Sequence, residues 1–300
     1  MRTFFWFLGL LVAGFAAMAL LAYPAWLVLH PHFDFPFHRI ASRVGMLALL
    51  IGFVSIARHL GLADRVSLGY GIPRRAFMRE LLFALALGVG LMLLVVAVML
   101  GLGLRIWLPG FNFSAATLAH LALQTLASAL VVAFIEETFL RGAMFSGIAR
   151  ESGVVSAILL TAIVYAATHF FARYHIPAEL VRPTSGVTMV AGTLQAFADP
   201  LAIADAFAAL FAVGALLAAI RAATGHIAAC IGLHAGWVWI ILFVRETTAP
   251  DMTRSMSFLL SSFDGFVGWL VFLWTIVIAL PLYRFYVRRS RLLAALDQRT

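Results

Sequence analysis

The sequence predicts an all-α, polytopic membrane protein of about eight transmembrane helices, a single transmembrane domain over residues 1–300. Three observations predict it. The chain is 64% hydrophobic and 11% charged, whereas a soluble domain is about 25% charged. Several apolar runs of about 18 residues or more carry almost no charge, enough to cross about 30 Å of hydrocarbon at about 1.5 Å per residue. The 21 basic residues, all Arg, collect in particular connections between those runs.

Taken in order, the spans are expected at 4–29, 42–61, 80–104, 117–148, 153–171, 199–220, 227–245 and 266–287. Only Arg2 precedes the first, whose apolar run is too long for the core of a signal peptide, so an uncleaved helix is expected. The connection 62–79 holds Gly69, Gly71 and Pro73, and a short interfacial helix carrying Arg74, Arg75 and Arg79 is expected there. The fourth and fifth spans meet at Glu151-Ser152-Gly153, a tight turn. The segment 172–198, with Arg173, Tyr174, His175, Glu179 and Arg182, is the longest polar connection. His175 and His226 are expected to be solvated. Asp205 is an interfacial residue or a helix-start charge. Pro24, Pro200 and Pro281 can kink spans. Trp6, Trp26, Trp107 and Trp269 near span ends read as aromatic belts.

Placing both termini in the cytoplasm gathers most Arg on the inner side, as the positive-inside rule requires. Arg58, Arg65, Arg74, Arg75 and Arg79, and the tail Arg284, Arg288, Arg289, Arg291 and Arg299, then face anionic lipid headgroups. The net charge of +8 therefore belongs to the lipid bilayer as partner. No basic, aromatic-rich soluble face suggests nucleic acid. The one cysteine, Cys230, allows no disulfide within the chain and reads as a small buried hydrophobe.

The chemistry lies in four ionisable groups inside apolar runs, where such groups are costly and usually functional. Glu136 and Glu137 sit in the fourth span, His169 in the fifth and His234 in the seventh. Glu137 and Arg141 are spaced i,i+4 with the acid first, the favourable order for a pair on one helix face. Glu136 points about 100° away and is left to act as a base near neutral pH. Glu136 and His169 are equidistant from the turn, so an antiparallel hairpin brings them to one depth, roughly 24 Å away. Ala235 and Gly236 beside His234 let helices approach closely. Two carboxylates and two histidines can activate water. No His-Glu-x-x-His motif occurs. Glu136, His169 and His234 have ligand types that suit zinc, and water activation without metal is equally consistent.

These residues fall into a known pattern. Glu136-Glu137-x-x-x-Arg141, Tyr165-x-x-x-His169 and His234-x-x-x-Val238, in that order on membrane helices, resemble the CPBP family, the CAAX-prenyl protease and bacteriocin-processing intramembrane proteases. The resemblance covers about residues 115–245. It implies eight helices and peptide hydrolysis in or beside the membrane, on a peptide or membrane-protein substrate. It implies Glu136 and His169 as water activators and His234 as an oxyanion donor. Two positions depart from the pattern. Tyr165 replaces the usual Phe, and Val238 replaces the usual Asn. The only Asn, Asn112, falls in a loop, so activity is reduced, or another donor serves, such as a backbone N–H or Thr168. Two other readings compete. One is a non-catalytic relative acting as a membrane binding or immunity protein, which Val238 favours. The other is a proton-coupled transporter, which the lack of repeated broken helices disfavours.

Overall fold

In the computed structural model, residues 1–171 and 174–297 are described. Arg173 and Arg299 lie outside them. The chain is an all-α, multi-pass membrane protein. Its helices are α1 (Arg2–Leu29), α2 (Phe37–His59), α3 (Arg74–Gly101), α4 (Ala115–Glu137), α5 (Phe145–Thr168), α6 (Ser185–Thr193), α7 (Ala204–Thr224), α8 (Ala228–Thr247) and α9 (Trp269–Asp297). A π-helical stretch, Thr138–Met144, joins α4 to α5. Among the described residues, seven helical stretches are long and apolar enough to cross a membrane. One of these is the continuous run Ala115–Thr168. It breaks at Gly153, whose φ of 82° and ψ of 166° suit a residue without a Cβ. The break makes two antiparallel arms. Arg141 and Tyr165, equidistant in sequence from Gly153, touch, with the guanidinium 4.6 Å from the ring centroid.

Three expectations needed correction. Arg74, Arg75 and Arg79 belong to the first turns of α3, which starts directly after Pro73, and no separate helix forms among the turns before it. Pro73 fits that place, because its fixed φ leaves an extended entry to a helix. The connection 172–198 contains α6, which packs on α1. A Cβ at Gly186 would stand 2.1 Å from the Ala19 carbonyl oxygen, so the absent side chain allows that approach. His226 is buried, because the turn between α7 and α8 is tied under the connection after α2 by Ile227 N–H donating to Gly69 O at 3.0 Å. Burial holds the His226 imidazole below its ordinary pKa. His175, by contrast, is exposed and meets His38 at 3.0 Å. Asp205 opens α7 as a helix-start charge and accepts from Ser261 Oγ at 3.3 Å. Cys230 is buried.

One end of the bundle is tied together by polar contacts. The Met1 ammonium and the Thr3 hydroxyl reach Glu151 at 2.8 and 2.6 Å. Arg150 donates to Gly61 O at 3.4 Å. Arg289 near the end of α9 pairs with Glu80 at 2.9 Å. At the other end, β1 (Arg105–Trp107) pairs antiparallel with β2 (Thr248–Pro250). Arg105 is buried there, donating to Gly265 O at 2.7 Å and Thr248 O at 2.9 Å. The start of α3, the turn at Gly153 and the end of α9 therefore share one side. Cysteines placed at Arg75 and Arg288 should react with an impermeant thiol reagent from the same side, and one at Arg182 from the opposite side. Labelling of Arg75→Cys and Arg288→Cys from different sides contradicts this arrangement.

The innermost helix is α8. Glycines bring it against α3: a Cβ at Gly232 would lie 2.3 Å from Leu81 O. This close crossing sets His234, two residues further on, at the centre of the bundle.

Candidate active site

Glu136 and Glu137 occupy the last turn of α4, one helical step apart and so on different faces. Glu137 turns inward and its side chain is 0% exposed; Glu136 is 33% exposed. One carboxylate oxygen of Glu137 collects two donors, Arg141 Nη1 at 3.0 Å and His234 Nδ1 at 2.8 Å. The ion pair offsets part of the cost of burying the carboxylate, whose other oxygen, Oε2, has no hydrogen-bond partner among the described residues. Arg141 is also fully buried and donates through Nη2 to Gly214 O at 3.0 Å. A Cβ on Gly214 would sit 3.0 Å from the Tyr165 ring. Its absence lets α7 press on α5 and offer that carbonyl.

The π-helical turn starts directly after Glu137. Such insertions are rare and cluster at functional sites. Here its polar groups are met from neighbouring elements. Arg221 of α7 donates to Arg141 O at 3.0 Å and reaches Ser146 Oγ at 3.3 Å, which in turn donates to Ser67 O at 2.7 Å. Thr138 donates to Phe134 O at 2.6 Å and meets the Tyr70 hydroxyl at 2.5 Å. The acid pair thus hangs from a stretch fixed by α7 and by the connection between α2 and α3.

His234 stands between the two acids. Its Nδ1 faces Glu137, and its Nε2 is 3.9 Å from Glu136 Oε2. That oxygen is buried and has no hydrogen-bond partner among the described residues. Because a carboxylate only accepts, His234 Nδ1 carries its proton toward Glu137, which fixes the ring's orientation. Nε2 donates as well when the ring is an imidazolium.

His169 closes α5 as its C-terminal cap. Its Nδ1 lies 2.7 Å from Tyr165 O, one turn back. A carbonyl can only accept, so Nδ1–H donates and Nε2 carries the lone pair of a base. The two rings meet edge to face at 4.5 Å between centroids. The Tyr165 ring in turn meets the His234 ring at 5.7 Å. Its hydroxyl is 3.5 Å from His234 Nε2. Val238, half-buried on α8, brings no polar group one turn beyond His234. Thr168, a candidate second donor, instead bonds its own helix at Tyr165 O, 3.0 Å away. Among the described residues, no set of three His, Cys, Asp or Glu side chains has a metal-holding arrangement. Glu136, His169 and His234 do not form one, so no metal step is derived.

Glu136, Glu137, Arg141, Tyr165, His169 and His234 therefore form one connected cluster. Sequence reasoning passed over Arg221, Gly214 and Tyr70. Arg221 was detectable as a cation inside an apolar helix. A glycine carbonyl and a loop tyrosine carry no such mark.

No curated protein and no solved structure matches the chain. Residues 118–240 match the family model described as Rce1-like, Type II CAAX prenyl endopeptidase Rce1-like. The matched stretch runs from α4 into α8 and contains every residue of the cluster, so over residues 118–240 this membrane protein is similar to that family, as the CPBP pattern of its motifs led one to expect.

Proposed function

We propose that the chain is an intramembrane endopeptidase that hydrolyses a peptide bond near the membrane surface with water activated by Glu136 and His169. The observation that carries this reading is the division of labour between two adjacent acids. Glu137 is fully buried and holds Arg141 and His234 through one oxygen, whereas Glu136 is one-third exposed, within reach of water, and faces His234 only across 3.9 Å. A group working as a base needs an unengaged lone pair within reach of its proton.

The steps follow from the atoms. Water between Glu136 and His169 Nε2 gives up a proton, and its oxygen attacks the scissile carbonyl carbon. The carbonyl π electrons move onto oxygen. His234, as imidazolium, donates from Nε2 to that oxyanion. The C–N bond then breaks, and the proton taken from water passes to the leaving amine. Glu137 and Arg141 position His234 and do not exchange protons with substrate.

Water access is supported by length. From Ala115 to Glu136 the helix rises about 33 Å at 1.5 Å per residue, about the hydrocarbon thickness. Glu136 then stands near the interface on the side of Met1 and the Gly153 turn, with the hairpin end beyond the bilayer. The Arg pattern supports that side, and both termini, as cytoplasmic. The substrate class is a membrane-tethered peptide or membrane-protein tail.

The half-buried Val238, with no polar group, favours one competing reading, a binding or immunity protein without turnover. Purified full-length protein in liposomes, given a panel of peptides with and without a prenylated Cys-aliphatic-aliphatic-X end, separates the two by mass spectrometry. Cleavage of at least one peptide is the expected result. Tight binding without cleavage across the panel supports the other reading.

A further inference from the structure

We propose that the Tyr165 hydroxyl is the second oxyanion donor of this site, taking the place that Val238 leaves empty. The inference rests on the hydrolytic reading above. Stabilising an oxyanion needs preorganised donors about 2.7–3.1 Å from the position of the developing charge. His234 Nε2 is one. Its neighbour along the helix face, Val238, offers nothing, and Thr168 is bonded to its own helix. Tyr165 OH is 3.5 Å from His234 Nε2, and two donors so spaced can both lie within hydrogen-bond distance of one oxygen atom.

The hydroxyl is also held firmly. Tyr165 is buried, with Arg141 over one region of its ring, His169 against its edge and Gly214 of α7 leaving it room. With His234 an imidazolium, its Nε2–H donates across that 3.5 Å and the hydroxyl oxygen accepts, which leaves the buried hydroxyl's own proton for the substrate carbonyl. A purely structural tyrosine here would be satisfied equally by phenylalanine, since the ring contacts need no oxygen. The hydroxyl's one evident use is a hydrogen bond in the site. During the reaction Tyr165 keeps its proton: it donates a hydrogen bond as charge grows on the carbonyl oxygen, and when the carbonyl re-forms its oxygen accepts again from the His234 Nε2–H.

The test uses full-length protein in liposomes and a farnesylated peptide with a Cys-aliphatic-aliphatic-X end. Wild type, Tyr165→Phe, Val238→Asn, the double variant and Glu136→Gln are compared for kcat, KM and melting temperature. Tyr165→Phe should melt like wild type, keep KM within about threefold and lose about 100-fold in kcat. Adding Val238→Asn to Tyr165→Phe should recover about tenfold or more, because it returns a donor one turn from His234. A Tyr165→Phe protein with wild-type kcat, beside an inactive Glu136→Gln protein, overturns the role of Tyr165 and leaves the hydrolytic reading standing. A second readout does not depend on turnover. A phosphinate analogue of the same peptide, which mimics the tetrahedral oxyanion, should bind wild type at least about tenfold more tightly than Tyr165→Phe, while the uncleaved amide peptide binds both alike. A phosphinate that binds both equally, or neither, overturns the proposal.

Discussion

Glu136→Gln should abolish hydrolysis while leaving the fold intact. Removal of a general base lowers turnover by about 100- to 10,000-fold. The structural effect should be small. Glu136 is one-third exposed and, among the described residues, has no partner at hydrogen-bond distance to lose; His234 Nε2 stands 3.9 Å away. The check is kcat for a cleaved peptide beside a detergent melting curve. Full activity in a well-folded Glu136→Gln protein would remove Glu136 from the chemistry.

Glu137→Gln should do the opposite. It leaves Arg141, which is fully buried, without its counter-charge, and His234 without the carboxylate that orients it. Breaking a buried ion pair from one side is destabilising by about 3–5 kcal/mol. The expected result is a clear drop in melting temperature and yield, with activity falling because less protein is folded and because the imidazole is free to turn. A Glu137→Gln protein that melts like wild type but is inactive would exchange the roles of the two acids. Arg141→Gln with Glu137→Gln should melt above Glu137→Gln alone, because the orphaned charge is gone.

Much of this was legible in the sequence, for identifiable reasons. Lipid forces backbone groups to be satisfied within each segment, so apolar runs become helices with little freedom. The spans at 80–104 and 227–245 accordingly fall close to α3 and α8. The hairpin at Glu151-Ser152-Gly153 was marked by a glycine and polar neighbours, and Gly153 bears the break. The i,i+4 pairing of Glu137 with Arg141 follows from helix geometry alone, and the pair meets at 3.0 Å.

What was not legible depends on contacts between distant segments. The π-helical turn at Thr138–Met144 leaves no period in so short a run. It is held by Arg221 and Thr138, whose partners are known only after α7 and the connection after α2 are in place. The burial of His226 likewise comes from a bond between Ile227 and Gly69, more than half the chain apart. α6 is too short and too polar at its ends to stand out from the connection around it. Tyr165 was visible as the aromatic of a motif. Its hydroxyl's approach to His234 depends on α5 and α8 meeting through the core.

The most direct test of the account is to run the cleavage in water enriched in oxygen-18 with hydroxylamine present, and to read the new C-terminus by mass spectrometry. Direct attack by water activated at Glu136 predicts one oxygen-18 atom in the new carboxylate, no hydroxamate, and no product of either kind from Glu136→Gln. A hydroxamate product would mean that an acyl intermediate forms on the protein, and would contradict the mechanism derived from this site.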